Sequence, residues 1–303
     1  MTASTHKGIL HNSRVNAVEP FRDMLPPDSP FWEKCARHES PQTARTMQFL
    51  YLCDPCAVRV CKEAMNGRLP IYHGETIEGF CGLCNRLLPV TLRVYFVCPF
   101  CWNVLVAYQK SFVACGAVHS YWEQAVAPKM TTLRLTETGM PYLSSYTRGS
   151  KSKKTAAAEL QFLDFIVEQA DGNTFKAQFH IELKAGPGSI DEMSEFQLDI
   201  NDSNDIIGVV NNTHLPAYIF HAQLLHEYRA PTRRTVPARM WFTDIFTLLS
   251  KRRSVKARRG EQKDAGYYSP LAFKPIEEFS ALLVNADYKE LEKRLAIEKL
   301  EMT

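Results

Sequence analysis

The chain has 303 residues, 45% hydrophobic and 23% charged, a composition that excludes disordered and fibrous classes and leaves room for two ordinary cores. Lys and Arg number 36 against 33 Asp and Glu, so the net charge of +3 does not by itself mark a nucleic-acid partner. No apolar run approaches the ~18 residues that cross a bilayer, and the start, MTASTHKGILHNSR, lacks the apolar block of a secretory signal, so a cytoplasmic protein with no membrane partner is expected.

Residues 1–45 carry Pro20, Pro26, Pro27, Pro30 and Pro41 among short apolar groups and read as an irregular lead-in with one helix. All nine cysteines lie at or before Cys115. Six of them form the CxxC pairs Cys53/Cys56, Cys81/Cys84 and Cys98/Cys101, where random placement would give roughly 0.3 such pairs. In a reducing compartment that pattern points to structural zinc held by thiolates. The best spacing is Cys81-x2-Cys84-x13-Cys98-x2-Cys101, whose spacer NRLLPVTLRVYFV has the β-branched and aromatic content of strands, as in a zinc ribbon. Cys53 and Cys56 would then need Cys35 with His38, Cys61 or His73. A second partition closes Cys53/Cys56 with Cys81/Cys84 and leaves Cys98/Cys101 for Cys115 and His119, and spacing does not choose between them. A redox reading is weaker, because a strand running into a helix is not evident around any pair. The zinc-binding part is assigned to 1–145, with a Ser/Gly/Lys stretch near 145–154 as the boundary and 146–303 as a second domain.

In that second domain KKTAAAELQ reads as a short helix ending near Glu159. FLDFIVEQ, the turn Ala170-Asp171-Gly172-Asn173 and TFKAQFHIELKAG read as a β-hairpin stopped by Gly186-Pro187-Gly188. With the turn centred on Gly172, Asp164 falls opposite residue 180 and Glu182 is its diagonal neighbour, about 7–8 Å away between Cα atoms. Two carboxylates at that spacing can hold one hard divalent cation, which neutralises charge at phosphorus and generates hydroxide near neutral pH. Lys184, on the same strand face as Glu182, can orient the attacking water and add positive charge to the transition state.

The stretch LDFIVEQADGNTFKAQFHIELKAG resembles the active-site hairpin of the PD-(D/E)xK nuclease superfamily. The likeness covers about residues 150–225, with IDEMSEFQLDI expected as the following helix and LPAYIFHAQLL as the next strand. It implies a restriction-endonuclease-like α/β (α+β) fold with a mixed-sheet core. Asp164 and Glu182 become Mg2+ ligands, the main-chain carbonyl of Leu183 completes the shell, and Lys184 stands near the attacking water. Leu163 replaces the proline of the family name, which contributes no chemistry. Glu159 is the nearest candidate for the acid that many members carry on the preceding helix, with Glu123 weaker, and Gln197 is a minor candidate for contact near the scissile bond. The acidic run Asp199 to Asp205 lacks the glycine and glutamate of a calcium loop and reads as a polar loop and helix cap.

Charge is unevenly spread. From Arg229 to Lys263 lie eleven basic residues against Asp244 and Glu261, the footprint of a nucleic-acid surface. The DNA-binding candidates are Arg233, Arg234, Arg252, Arg253, Arg258 and Arg259, with Lys153 and Lys154 ahead of the hairpin. The tail, PIEEFSALLVNADYKELEKRLAIEKLEMT, has an amphipathic helical pattern. Together these features, with no GxxxxGK[ST] motif, lead to the expectation of a Mg2+-dependent endonuclease of double-stranded DNA, most closely a Type II restriction enzyme acting as a homodimer. The alternatives are a zinc-dependent nucleic-acid-binding protein without catalysis, or a repair, recombination or RNA-processing nuclease of the same fold.

Overall fold

The computed structural model describes residues 10–14, 46–65, 67, 69–70, 72–84, 86–97, 99–138, 163–229, 232–257 and 264–285. They divide into two compact units, the first of residues up to 113 with 224–236, the second of 114–138, 163–223 and 237–285. The boundary expected near 145–154 lies outside the described residues.

In the first unit β1 (Leu10–Arg14), β2 (Thr46–Leu52), β3 (Tyr72–Phe80) and β4 (Leu87–Val97) form an antiparallel sheet in the order β1-β2-β4-β3. The lead-in read as irregular therefore contributes a strand. Leu50, Leu52, Val90, Val94 and Tyr95 are buried. Helix α1 (Asp54–Arg59) follows β2 at once, with Cys53 as its N-cap and Pro55 at its start, where the missing N–H costs nothing. The Arg93 guanidinium, only 12% exposed, bonds Asp54 Oδ1 at 2.8 Å and His73 Nδ1 at 2.9 Å.

The second unit is built on a six-stranded sheet ordered β13-β10-β9-β7-β6-β5. Its strands are β5 (Leu133–Glu137), β6 (Phe165–Asp171), β7 (Thr174–Gly186), β9 (Ala217–Arg229), β10 (Thr232–Asp244) and β13 (Lys274–Pro275). The sheet is mixed: β5, β6 and β7 are antiparallel, whereas β7 and β9 are parallel. A parallel pair needs a crossover, and here it contains a 3-10 turn (Ile190–Glu192), β8 (Phe196–Asp199) and a helix (Ile200–Thr213). With α2 (Pro99–Tyr121) earlier in the chain, that helix is α3.

Strand alternation sends side chains to two cores. Phe165, Val167, Phe179, Ile181, Tyr218, Phe220 and Phe242 join Val118 and Trp122 and, from α5 (Glu277–Asn285), Phe279 and Leu283. Phe279 makes edge-to-face contacts with Phe179, Tyr218, Phe220 and Phe242, each worth about 0.5–1.5 kcal/mol beyond area burial. Ala217, Ile219 and Trp241 instead meet Phe196 and Leu198 of β8 and Ile206, Val209 and Val210 of α3. Strand β8 also closes a three-stranded sheet, β11-β12-β8, with β11 (Arg252–Ala257) and β12 (Asp264–Tyr268), β11 being separated from β10 by α4 (Ile245–Ser250). The stretch IDEMSEFQLDI, expected to be helical, is thus a 3-10 turn and a strand, and the helix begins only at Ile200. Pairing with β12 overrides its helix-like spacing of apolar residues. Of the expected C-terminal helix, Glu277–Asn285 is described and 286–303 lies outside.

Candidate functional site

The hairpin expected around Gly172 forms, with Gly172 in the left-handed region at φ 59° and Asp171 paired with Thr174. Its register differs from the expected one in two steps. The turn centres between Gly172 and Asn173, and a β-bulge makes Val167 face Phe179 while Glu168 faces Ala177, so that Gln178 is the extra residue. The first registered pair is Phe165 with Ile181, and one step beyond it Asp164 falls opposite Glu182 itself rather than diagonal to it. Direct opposition brings Cβ atoms to about 4.5–5.5 Å.

Asp164 occupies the bend where the chain enters β6. Two contacts from the end of β5 fix that bend: the Thr138 N–H donates to the Asp164 carbonyl at 3.0 Å, and the Thr138 hydroxyl donates to the Leu163 carbonyl. The side chain is held as well, since the Leu183 N–H donates to Asp164 Oδ2 at 2.7 Å. Burial, then the adjacent Glu182 charge, pushes the Asp164 carboxyl well above the usual carboxylate range, against that hydrogen bond and the Lys184 charge. Glu137, at the end of β5, adds a further negative charge in the same direction. Its own carboxylate meets His119 Nε2 at 3.4 Å.

Lys184 Nζ donates to Glu182 Oε1 at 2.7 Å and to Asp202 Oδ2 at 2.8 Å. Burial works against its positive charge, but Glu182 and Asp202 outweigh it and hold the ammonium protonated far above neutrality. Asp202 lies in the first turn of α3. His180 and His221, on β7 and β9, are buried, with burial drawing His180 down to about 4 and His221 down as well, so neither offsets the acids at neutral pH. Two carboxylates whose mutual repulsion is only partly relieved form a hard-oxygen donor set, and that set fits a divalent cation. The residues that would hold one are Asp164 and Glu182.

Sequence reasoning overlooked Asp202 and Glu137. Asp202 was present only as part of a polar loop and cap; Asp199 does occupy the N-cap of α3, but Asp202 turns back to Lys184 across 18 residues of chain. Glu137 belongs to a strand with no motif of its own. Glu159, Lys153, Lys154, Arg258 and Arg259 lie outside the described residues. Glu123 is exposed on the π-helical turn after α2, and Gln197 is exposed on β8. Arg233 and Arg234 lie in β10, where their side chains are outside the described set. Arg252 is exposed on β11, whereas Arg253 donates to the Ser194 carbonyl at 3.0 Å and to the Ser269 hydroxyl at 3.2 Å, fastening its own sheet.

In the first unit the thiols of Cys53, Cys56, Cys81 and Cys84 lie within 4.8 Å of one another. The grouping expected first, Cys81/Cys84 with Cys98/Cys101, gives way to the second partition for these four. Cys53 directly follows β2 and Cys56 lies in α1, while Cys81 directly follows β3 and Cys84 lies in the turn to β4. The Gly82 N–H donates to the Tyr51 carbonyl at 2.7 Å and joins the two knuckles. Cys81 Sγ accepts N–H bonds from Cys53 at 3.4 Å and Leu83 at 3.5 Å. With the Cys56 thiol as the largest contributor, such bonds draw Cys81 down to about 5 despite burial. Burial leads the causes that raise Cys84 to about 11, and the bond to Cys81 raises Cys56. Four thiols converging on one point, one already disposed to ionise, are the donor set of a tetrahedral Zn2+ site.

Cys53 does stand where a strand runs into a helix, a context the sequence did not disclose, but its pair is half of a four-thiol cluster rather than an isolated dithiol. Cys98 lies outside the described residues, and Cys101 is in α2 with its side chain outside them. Cys35 and His38 also lie outside. Cys61 and exposed His73 are not in the cluster; Cys115 is in the aromatic core and His119 faces Glu137 and Phe165. No helix among the described residues is long and apolar enough to cross a membrane.

No family model and no curated protein matches the sequence. Among solved structures, the chain is similar to a nuclease from a fusselovirus at 10% identity and a TM-score of 0.34, over 61% of this chain and 95% of that one. It is also similar to the Holliday junction resolvase of Archaeoglobus fulgidus at 11% identity and a TM-score of 0.29, over 56% of this chain and 98% of that one.

Proposed function

We propose that the chain is a metal-dependent nuclease, with Asp164 and Glu182 as the ligands of one Mg2+, the Leu183 carbonyl as a further ligand and Lys184 as the cationic partner of the reacting phosphate. The observation that carries the reading is the junction of β6 and β7, where Asp164 is anchored on the Leu183 N–H and Glu182 is bonded to Lys184. When bound, Mg2+ supplies charge neutralisation at phosphorus and a water of lowered pKa. Asp164 keeps its orientation through Leu183 and the bend fixed by Thr138. Lys184, kept protonated by its two acidic partners, places positive charge on a non-bridging oxygen or holds the attacking water, and does not remove a proton.

The finer reading is a Type II restriction enzyme that cuts double-stranded DNA as a homodimer. It is supported by the absence of a phosphate-binding loop motif and the basic stretch from Arg229 to Lys263. Lys153, Lys154, Arg233, Arg234, Arg252, Arg258 and Arg259 are assigned to the DNA backbone, and Arg253 to bracing β11. Cys53, Cys56, Cys81 and Cys84 hold a structural Zn2+, with the first unit as the zinc-binding part and the second, which takes in 114–138, as the nuclease part. Incubating the protein with plasmid and Mg2+ should give discrete fragments, lost when EDTA is added. A smear or nicked circles would replace the restriction reading by a repair or recombination nuclease; intact plasmid with every divalent metal tried would leave a binding protein.

A further inference from the structure

The ammonium of Lys184 lies 2.7 Å from Glu182 Oε1. It therefore occupies a lone-pair direction of a carboxylate that the proposed function gives to a cation, and lysine and cation compete for Glu182. The second bond, to Asp202 Oδ2 at 2.8 Å, leads away from the competition. Asp202 is no loosely placed surface acid. It sits three residues after the N-cap Asp199, where a carboxylate is favoured by the helix dipole. The start of α3 is pinned on both sides: β8 runs directly into it and pairs with β12 from Phe196 to Asp199, while Phe196, Leu198 and Ile206 are buried in one core. Asp202 is 42% exposed and Glu182 17%, so the counter-ion on the helix is the better solvated of the two.

We infer, resting on that reading, that Asp202 is a positioning residue: it holds the Lys184 ammonium toward α3 and so leaves Glu182 available to the metal. Without Asp202 the lysine has one acidic partner in place of two, and the partner that remains is the ligand. Asp202 thus favours cation binding without touching the cation. A residue in direct ligation and a residue in this indirect role predict opposite behaviour once the lysine is gone.

The test is calorimetric titration of the full chain, zinc retained and Mg2+ removed by gel filtration, with Ca2+, a hard cation that takes oxygen ligands, using Asp164→Ala to mark the heat that belongs to this site. Asp202→Asn should weaken that binding about tenfold, the lower end of the range for residues that support metal ligands. Asp202→Glu, which keeps the charge, should bind as the wild type does. Lys184→Met should bind more tightly than wild type, and adding Asp202→Asn to Lys184→Met should change nothing further. Equal weakening by Asp202→Asn in the Lys184→Met background would make Asp202 a ligand and overturn the inference. Wild-type affinity in Asp202→Asn would overturn it too. Absence of any Asp164-dependent heat in the wild type would overturn the metal reading of Asp164 and Glu182 itself, and the inference with it.

Discussion

The two clusters of ionisable side chains solve opposite electrostatic problems. The four thiols of the first unit come from the residues that follow two strands, a short helix and a turn, are mostly buried and converge on one point. The carboxylates of the second unit are only part-buried and come from a bend, a strand and a helix; an ammonium bridges Glu182 and Asp202, while Asp164 is held by a backbone N–H. Soft sulfur donors closed on one centre suit an ion that stays for the life of the fold; hard oxygen donors with a mobile counter-charge suit an ion that works and exchanges. A closed set spends metal affinity on stability, whereas an open set spends stability on reactivity.

That contrast can be broken most directly at the chemistry. Asp164→Ala or Lys184→Ala should reduce plasmid cleavage to background while DNA binding by gel shift stays within a few-fold of wild type. Cleavage persisting in either variant would leave the acidic cluster with no special role. The next largest effect belongs to the thiols. Cys81→Ser, or stripping with a strong chelator, should release zinc measurable by a colorimetric dye and lower the melting temperature, because metal binding and folding of such a site are one equilibrium. An unchanged melting curve with no zinc released would show four buried thiols packed as small apolar groups.

The smallest effect has an opposite sign at the two centres. The carboxyl of Asp164 has its folded-state pKa above the unfolded value, so the folded state binds the extra proton between the two. Stability of the metal-free protein should therefore fall as pH rises from the ordinary carboxylate range through the folded pKa. Asp164→Asn removes the buried charge and keeps an oxygen for the Leu183 N–H, so the metal-free variant should melt higher than wild type at neutral pH and lose that part of the pH slope. A lower melting temperature would mean that Asp164 is compensated by charges other than those beside it. Loss of a thiol destabilises, whereas loss of this carboxylate charge stabilises.

How much of this was legible in sequence differs between the centres for a physical reason. The hairpin and its acids are local: the Asp171-Gly172-Asn173 turn and period-2 alternation announce them within about twenty residues. The pairing of thiols is not local, because any two CxxC knuckles have equivalent donor chemistry and only the β2–β4–β3 adjacency decides which pair meets. Asp202 was hidden for the same reason, as its partner lies on another element and a first-turn acid has an ordinary capping role. Strand β8 was misread because FQLD has spacing that suits either state, and its partner β12 follows some seventy residues later.

Gln178 gives the hairpin a numerical property. It is the additional residue of the bulge, and it alone separates the pairing of the tip, Asp171 with Thr174, from that of the base, Phe165 with Ile181. Were the ladder to run without the bulge, with Gln178 paired to Val167, the tip register carried through to the base would set Asp164 against Ile181, a residue of the aromatic core, and Glu182 against Leu163. The ribbon between bulge and turn can therefore grow or shrink by matched pairs of residues with the acids undisturbed, whereas an unmatched single deletion reassigns every partner at the base. In a lineage of such chains, hairpin length should drift in steps of two.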